Sequence, residues 1–349
     1  MTFDRTSKIG IIGSGSVGGS IAVALSKAGY RISAAASRSI SSAEYLSSLV
    51  EGCVAYSDIQ EAVDAVEVVF VTTPDDAVCR VVESISWASH HAVIHCSGAK
   101  SLDVLTAATL NGASSGAFHP LQAFYSVEKG ASSIAGITFA IEGSRTMRAF
   151  LSQMAKDLKA RSVFISAENK VLYHLSAVMM GNLLTEYVAI CAQLWEHIGF
   201  SRIDGLEALL PMMNQVSDNL ESAGLPDAIG GPFVRGDIGT IKAHLHALSI
   251  QKPDLLSLYC ELALMGLNFA EEKRGIDLES TAEIRRLLKT TVNPVVIDCP
   301  QYKADKHWQT GGFGWQMVMG ANPLDQFYYT KAELRKKKIF VATPMYGGM

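Results

Sequence analysis

Three glycines near the start of the chain are spaced to hold a phosphate group. The apolar run Ile9–Ile12, typical of a strand, leads into Gly13-Ser-Gly15-Ser-Val-Gly18 and then into a helical pattern. In that order the first glycine permits a tight turn, the second lets the backbone approach a pyrophosphate, and the third lets the helix pack close to the strand. The pattern predicts a dinucleotide site rather than an ordinary glycine-rich turn. Its residues are Gly13, Ser14, Gly15, Ser16, Val17 and Gly18.

The end of the second predicted strand indicates which dinucleotide is bound. Ser37-Arg38-Ser39 begins 19 residues after Gly18, where an NAD site would carry an Asp or Glu on the ribose 2′-hydroxyl. An arginine flanked by two hydroxyls suits a 2′-phosphate instead. We therefore expect NADP(H), with Ser37, Arg38 and Ser39 at the 2′-phosphate. The alternative is an exposed arginine between two turn serines.

Polar residues follow three further strand-like runs, at the sheet edge where open α/β folds bind ligands. We expect Thr73 and Pro74 beside the nicotinamide half of the cofactor, and Ser97 and Gly98 at the substrate, although turn chemistry alone would explain both pairs. His119 precedes a proline, which keeps it out of helical geometry. Its imidazole could orient substrate or relay a proton, or it could be a structural histidine bonded to backbone.

A long helical pattern from Glu168 to Ile198 carries Lys170 and His174 one turn apart, and therefore on one face. Asn182 broadly continues that face. Burial can lower the pKa of a lysine towards neutrality, which suits a proton donor to a developing alkoxide or amine. The alternative is a lysine in water at the helix entry, with His174 in a core pocket.

Arg235 is a second candidate for substrate binding. It lies in Gly231-Pro-Phe-Val-Arg235-Gly-Asp237, a segment typical of a junction between helices. Its guanidinium could bind a carboxylate with two hydrogen bonds, or form a structural pair with Asp237.

Composition excludes several classes of protein. The 349 residues are 48% hydrophobic and 18% charged, which describes a well-buried globule of about two domains. A net charge of -4 gives no electrostatic footprint for nucleic acid or anionic lipid. No run approaches the ~18 uninterrupted apolar residues of a membrane span. The six scattered cysteines suggest a reducing cytoplasm, and no histidine or cysteine cluster has the spacing of a metal site.

The pattern of strand-like, helix-like and aromatic-rich segments divides the chain into three parts. Residues 1–166 alternate strand-like and helix-like segments, which predicts an NADP-binding Rossmann domain with a doubly wound sheet. Residues 167–289 predict an all-α domain. Residues 290–349 form an aromatic-rich extension, which we expect to cover a partner subunit or to act as a lid. The predicted strands are Ile9–Ile12, Ile32–Ala36, Val66–Thr72, Ala92–His95, Ser115–Phe118, Ile137–Ile141 and Ser162–Ile165.

Over about residues 8–289 the chain resembles the family of Rossmann-like proteins with a helical C-terminal domain of unknown function, in the 6-phosphogluconate dehydrogenase-like superfamily. The resemblance implies hydride transfer between NAD(P)H and a small C=O or C=N compound in a cleft between domains, as in ketopantoate reductase, pyrroline-5-carboxylate reductase and 3-hydroxyacid dehydrogenases. It also implies a homodimer, with residues 167–289 as the domain for substrate binding and dimerisation. The hydroxyacid dehydrogenases carry a Lys with an Asn one turn later; Lys170 matches, but His174 replaces the Asn. The motifs that carry the resemblance are Gly13-x-Gly15-x-x-Gly18, Thr73-Pro74-Asp75, His95–Ala99, Phe118–Gln122, Lys170-x-x-Tyr173-His174 and Gly231–Asp237.

We therefore expect an NADP-dependent oxidoreductase acting on an imine or on a 2- or 3-hydroxy acid or keto acid. Lys170 or His174 would supply the proton, and His119, Ser97 and Asn182 would position the substrate. The expected setting is a cytoplasmic homodimer with a small-molecule substrate and no metal, membrane or nucleic acid. The rival hypothesis is a non-catalytic NADP-binding protein that senses redox state. The sequence determines neither the substrate nor the direction of the reaction.

Overall fold

The fold is built on one eight-stranded sheet, seen in a computed structural model that describes residues 3–292. The strand order is β3-β2-β1-β4-β5-β6-β7-β8, and neighbours run parallel except for the antiparallel pair β6–β7. This order is that of a doubly wound sheet, so the predicted fold class is confirmed. The strands are β1 Lys8–Ile12, β2 Arg31–Ala36, β3 Val54–Tyr56, β4 Val68–Val71, β5 Ala92–His95, β6 Ser114–Pro120, β7 Thr138–Gly143 and β8 Arg161–Phe164.

All seven predicted strands are present, and one strand was not predicted. β3 has only three residues and lies at the sheet edge, where Val54 is 52% exposed. A strand that short carries no alternation long enough to detect. The antiparallel direction of β7 was not predicted either, because the apolar pattern that identifies a strand does not show in which direction the strand runs in the sheet.

Helices cover both faces of the sheet because its central strands bury side chains on both sides. In β4, Val68 and Phe70 pack into one core while Val69 and Val71 pack into the other. This is the arrangement that near-continuous apolar runs predict for parallel strands. The helices before the long helical segment are α1 Ser16–Lys27, α2 Ile40–Leu49, α3 Ile59–Asp64, α4 Val78–Glu83, α5 Thr106–Leu110, α6 Val127–Ser132 and α7 Arg145–Asp157.

The predicted long helix is continuous from Ala167 to Ile198. It consists of a 3₁₀ turn, α8 Lys170–Val178, a π-helical turn at Met179–Leu183, α9 Leu184–Gln193 and a final 3₁₀ turn. By length and composition alone this helix could cross a membrane, with a mean hydropathy of 1.4 over its most apolar window. It was not predicted as a membrane span because it contains no uninterrupted apolar run of ~18 residues. Its apolar character appears only in the average over a window.

By compactness the chain divides after Ile190, so the first unit includes the long helix as far as that residue. The predicted boundary at 166/167 instead marks where the alternating strand-like and helix-like patterns give way to helical patterns alone. The two boundaries therefore rest on different criteria, compactness and sequence pattern. In the second unit, buried residues such as Ile241, Leu267 and Ile284 form a separate helical core. Its helices are α10 Arg202–Ala223, α11 Pro232–Arg235, α12 Ile238–Gln251, α13 Leu256–Glu272 and α14 Leu278–Val292. The part of the predicted extension beyond residue 292 lies outside the described residues.

Candidate active site

The glycine loop between β1 and α1 has the geometry of a phosphate site. Gly13 has φ +104°, and a Cβ there would lie 2.9 Å from the carbonyl of Thr72. A Cβ on Gly18 would lie 2.3 Å from the Gly13 carbonyl oxygen, so neither glycine can be replaced without moving backbone. A Cβ on Gly15 would meet nothing within 4 Å. The first and third glycines therefore close the turn, while the second faces open space that a ligand can approach.

The groups around this loop fit the pyrophosphate of a dinucleotide. Gly15 is the N-cap of α1, no side chain caps the helix, and its first turn contains no acidic residue. Two buried hydroxyls, Ser14 Oγ and Thr73 Oγ1, have no hydrogen-bond partner in the structure. Helix N-terminal N–H groups and unsatisfied hydroxyls are the donors that phosphate oxygens accept from. Ser14 and Thr73 were both predicted to contact the cofactor.

Ser37, Arg38 and Ser39 lie between β2 and α2, where an adenosine ribose would be expected. Arg38 is exposed, and the structure shows it in no ion pair with any residue from 3 to 292. Ser39 is the N-cap of α2, and its hydroxyl shares a 2.7 Å hydrogen bond with Ser41. A free guanidinium beside an exposed helix N-terminus suits a 2′-phosphate, and the assignment of these three residues stays a prediction.

A buried ion pair joins the start of α8 to the sheet. Lys170 Nζ lies 3.3 Å from Glu142 Oε2, with the two side chains only 3% and 12% exposed. Strand register explains how Glu142 reaches this point: it pairs with Ala117 of β6, which pairs with His95 of β5. Paired residues point to the same face of a sheet, so His95 and Glu142 share the face on which Lys170 meets Glu142. Burial lowers the pKa of Lys170, while Glu142 opposes that shift.

Next to this pair, three rings converge over Gly98. His119 Nδ1 and Tyr173 Oη are 2.8 Å apart, with their rings perpendicular. The rings of His119 and His174 have centroids 6.0 Å apart. A Cβ on Gly98 would lie 2.5 Å from His174 Cδ2 and 2.7 Å from His119 Nε2, so only glycine lets both imidazoles approach this loop. The structure thus brings together Gly98, His119 and His174, which the sequence analysis selected separately.

Burial holds the ionisable rings of this cluster in their neutral forms. It lowers the pKa of His119 to about 4, with help from His174 and Lys170. It lowers the pKa of His95 to about 3, where Lys170 adds to the effect. It also raises the pKa of Tyr173 to about 12. At neutral pH the cluster therefore offers two uncharged imidazoles and one phenol.

Ser97, predicted to contact substrate, donates a 2.7 Å hydrogen bond to Asp75 Oδ2 and accepts one from the backbone N–H of Lys100. Ser97 is buried and Asp75 is exposed, so the carboxylate marks the outer side of the cluster. The backbone N–H of Ser97 bonds to His95 Nδ1 at 3.2 Å. These contacts hold the loop after β5 in place below His119.

Two predicted site residues are not seen in this cluster. Asn182 is exposed and lies within the π-helical turn, which rotates the residues beyond it away from the face that ideal α-helical spacing predicts. Arg235 lies in the second unit and is exposed. Its alternative partner Asp237 instead caps α12, accepting hydrogen bonds from the backbone and hydroxyl of Thr240. The roles of Asn182 and Arg235 stay predictions.

The sequence analysis did not select Tyr173, Glu142, Asp75 or His95 as site residues. Tyr173 lies inside the Lys170–His174 motif and Asp75 directly after Pro74, so both were adjacent to chosen residues. Glu142 had one available signal, since it is the single charged residue in the otherwise apolar β7. His95 was read as part of a buried strand, which it is.

Comparison with known proteins places this geometry in a class. Residues 8–98 match the family model described as NADP oxidoreductase, coenzyme F420-dependent, and residues 137–265 match the domain of unknown function DUF2520. No curated protein matches the chain in a sequence search. A proposed NADP oxidoreductase from Bacteroides fragilis is 25% identical, with a TM-score of 0.61 over 76% of this chain and 99% of its own.

Two more distant structures share the fold. Pyrroline-5-carboxylate reductase from Streptococcus pyogenes is 16% identical, with a TM-score of 0.56 over 81% of this chain and all of its own. A reductive aminase from Aspergillus terreus, solved with NADPH and ethyl-5-oxohexanoate, is 16% identical, with a TM-score of 0.51 over 82% of this chain and 94% of its own. At these identities the likeness concerns the fold alone.

The chain therefore joins an NADP oxidoreductase domain to a DUF2520 domain. This confirms the family that its motifs resemble, a Rossmann-like protein with a helical C-terminal domain of unknown function. The predictions of an enzyme, of the oxidoreductase class and of NADP(H) as cofactor are confirmed at this level. The hydroxy acid or keto acid substrate is not.

Arg38 should determine the choice between cofactors. Replacing it (Arg38→Asp) removes the cation from the proposed 2′-phosphate site and adds a repelling charge, so NADPH binding should weaken by ~1–3 kcal/mol, the scale of hydrogen bonds to charged groups. NADH binding should change little. Fluorescence titration measures both dissociation constants, with Arg80→Asp on exposed α4 as the charge-matched control. Equal losses for the two cofactors would remove Arg38 from the 2′-phosphate.

The buried imidazoles should make the first unit sensitive to acid. Both His95 and His119 have a folded-state pKa below the ordinary 6.5, so the unfolded chain binds more protons as pH falls from 6.5 towards 4. The free energy of unfolding should therefore decrease over that window, by about 1.4 kcal/mol per unit of pKa difference. Urea unfolding at pH 7.5 and pH 4.5 measures this loss. It should shrink in His119→Gln and persist in His90→Gln, which changes an exposed histidine of the same unit.

Proposed function

We propose that the protein reduces a small compound with a C=N bond, using NADPH. The observation that carries this proposal is the charge of the cluster around His119. Lys170 is the one lysine or arginine whose charge helps to lower the pKa of both His95 and His119, and Glu142 already pairs with it. The exposed Lys100 bonds to Ser97 through its backbone N–H, but its charge is not among those that shift these two pKa values, so the imidazoles themselves have no unpaired lysine or arginine beside them to bind a substrate carboxylate.

The remaining charges favour a basic nitrogen. With His95 and His119 neutral, the carboxylates of Glu142 and Asp75 outnumber the single ammonium of Lys170. If Lys170 loses its proton, the excess negative charge only grows. The amine that the reduction produces is basic, and its protonated form is stabilised in such a site, whereas a carboxylate is repelled. This favours an imine over the hydroxy acids and keto acids that the sequence analysis left open.

The cofactor site and the cluster have different roles in the proposed reaction. NADPH, when bound, supplies a hydride to the carbon of the substrate double bond. The glycine loop and the N-terminus of α1 hold its phosphates, and Arg38 holds the 2′-phosphate. The chain's own cluster orients the substrate nitrogen and supplies a proton. The reductive aminase that shares this fold was solved with NADPH, which supports the same cofactor here.

A non-catalytic redox sensor needs the glycine loop but not the cluster. A buried lysine and carboxylate cost desolvation energy, and a hydrophobic pair of the same shape is often at least as stable. Four further groups, on β5, β6, α8 and the loop after β5, converge beside that pair: His95, His119, Tyr173 and Ser97. Such an assembly is typical of a catalytic site rather than of a cofactor-sensing domain.

A matched panel of substrates tests the proposal. NADPH oxidation should be fastest with a cyclic imine that has no carboxylate, such as 1-pyrroline. The same ring with a carboxylate should be slower in kcat/KM by about tenfold or more, because one unfavourable charge contact costs about 1.4 kcal/mol or more. Small 2-keto acids should be slower still. Asp75→Asn should narrow the gap between the two imines.

If a 2-keto acid is instead the best substrate, the imine proposal is wrong and a cation must come from elsewhere. Arg235→Gln then identifies it, because loss of that guanidinium would raise KM for acids alone. Arg274→Gln is the matched control, since Arg274 is an exposed arginine of the same unit.

We also propose that two copies of the chain associate through α10. This helix is 22 residues long, and among its residues only Gly205 is buried. One face carries a stripe of exposed apolar side chains at spacings of three, four and seven residues, which is the pattern of packed helices. A second copy presents the same stripe at the same length, so a two-fold contact would cover both at once. The α10 stripe consists of Ile203, Leu206, Leu210, Met213 and Leu220.

Charges placed in the α10 stripe should separate the copies. We expect Leu210→Glu with Met213→Glu to give a monomer, because two carboxylates would be buried without partners on each side. The control is Ala208→Glu with Gln215→Glu, which adds the same charges to the opposite face of the helix. Light scattering coupled to gel filtration measures the mass. A wild-type monomer, or a dimer that survives the stripe variant, would contradict the proposal.

A cytoplasmic location is the remaining proposal about the setting. It is supported by the cysteines at positions 53, 79, 96 and 260, which form no disulfide with one another. Reduced cysteines and an NADPH-dependent reaction both suit a reducing compartment.

A further inference from the structure

Tyr173 occupies the position in the cluster that a proton donor needs. We infer that its hydroxyl gives the proton that completes reduction of the substrate, and that His119 is the positioning residue that aims it. This inference rests on the proposed reductase function. It replaces Lys170 and His174, the donors that the sequence analysis favoured, with a residue that analysis did not select.

The contact between the two side chains fixes the phenol. Tyr173 Oη lies 2.8 Å from His119 Nδ1, and the two rings pack edge to face with centroids 5.6 Å apart. His119 is itself held, because Pro120 follows it and its other nitrogen packs against Gly98. Tyr173 is half-buried, so its side chain is held by the cluster without being fully enclosed. A donor held in this way needs little reorganisation during the reaction.

Hydrogen bonding determines which group carries the mobile proton. A neutral imidazole has one N–H, and its position is set by what each nitrogen contacts. If Nδ1 of His119 carries it, this N–H donates to Tyr173 Oη, and the phenol proton is then free to point at a substrate. Nε2, beside Gly98, is left as an acceptor. The dyad therefore has one outgoing proton, on Tyr173, and one that can replace it, on His119.

The step is balanced in atoms and electrons. As the C=N carbon accepts the hydride that NADPH provides, the π electron pair moves to nitrogen and takes the proton of Tyr173, so one C–H and one N–H bond form while the phenol O–H bond breaks. The phenolate recovers a proton from His119 Nδ1. His119 then takes a proton from a solvent acid at Nε2, so the ring stays neutral as the other tautomer, and proton exchange with solvent returns the N–H to Nδ1 before the next turnover. The same sequence serves a C=O substrate, in which oxygen replaces nitrogen.

Lys170 is poorly placed for this role. Its ammonium is 3.3 Å from Glu142 and almost wholly buried, so giving up its proton would leave the carboxylate without its only cation. Glu142 Oε2 has no hydrogen bond to replace that contact. His174 contributes by packing against Gly98, and the structure gives it no hydrogen bond to a site residue among those described. We therefore assign Lys170 and His174 to holding the cluster in place.

Single-turnover kinetics test the donor. With NADPH saturating, Tyr173→Phe keeps the ring and removes the proton, and should slow reduction of the substrate ~10²–10⁴-fold, the usual range for general acid catalysis. The NADPH dissociation constant, measured by fluorescence without substrate, should stay unchanged. The solvent deuterium isotope effect on the rate of reduction should differ between the wild type and Tyr173→Phe. Tyr125→Phe, which changes an exposed tyrosine, is the matched control.

His119 is tested by a conservative replacement. Gln can still donate to Tyr173 Oη but cannot relay a proton, so His119→Gln should retain more activity than His119→Ala. Only the wild type should keep a rate that is independent of added buffer acid. A buffer dependence that is the same in all three proteins would contradict the role of His119.

The outcomes separate this inference from the proposed function. If the enzyme reduces carbonyls and not imines, the proposed function fails while the Tyr173→Phe comparison proceeds on the carbonyl. A Tyr173→Phe rate within about threefold of wild type overturns the donor assignment. The assignment is also overturned if Lys170→Met binds NADPH normally and loses the reaction while Tyr173→Phe retains it. A wild type that oxidises NADPH with neither substrate class overturns both.

Discussion

The ion pair between Lys170 and Glu142 fixes the rest of the cluster. An ammonium this deeply buried is stable only beside an opposite charge, because removing either partner leaves an uncompensated charge that costs several kcal/mol. Lys170 is the first residue of α8, so the pair holds that end of the long helix to the sheet. Tyr173 and His174 follow one helical turn later, and residues three and four apart lie on the same side of a helix. Holding Lys170 therefore also places both rings over the ends of β5 and β6.

The sheet makes this pairing possible through its one reversal. β7 runs antiparallel to β6, and the register of the two strands brings Glu142 opposite Ala117, two residues before His119. A carboxylate in this position faces the same side as His95, across two strands. A wholly parallel sheet would need a crossover between β6 and β7 and would bring a different residue of β7 to this row. The reversal therefore determines which charge meets Lys170.

How much of this could be predicted from sequence depended on whether a signal was local. The glycine loop was predictable because strand, turn and helix follow one another directly between Lys8 and Lys27, and the steric contacts of Gly13 and Gly18 fit the roles predicted for these two glycines in the turn. The shared face of Lys170 and His174 was predictable because helix periodicity is local. Glu142 was not, because its role depends on a strand register that no local pattern encodes. The role of Asn182 stays a prediction, because the π-helical turn at Met179–Leu183 in which it lies departs from the ideal α-helical spacing on which that prediction rests.

Burial acts on every ring of the cluster in the same direction. It lowers the pKa of His95 and His119 and raises that of Tyr173, so all three favour their uncharged forms. A reductase site benefits from this, since a neutral phenol and a neutral imidazole can exchange a proton without creating a lasting charge in a poorly solvated place. The formal charges that remain sit on Lys170, Glu142 and Asp75, at fixed positions around the rings. Proton movement and electrostatic selection thus belong to different residues, which explains why one cluster holds both buried charges and neutral rings.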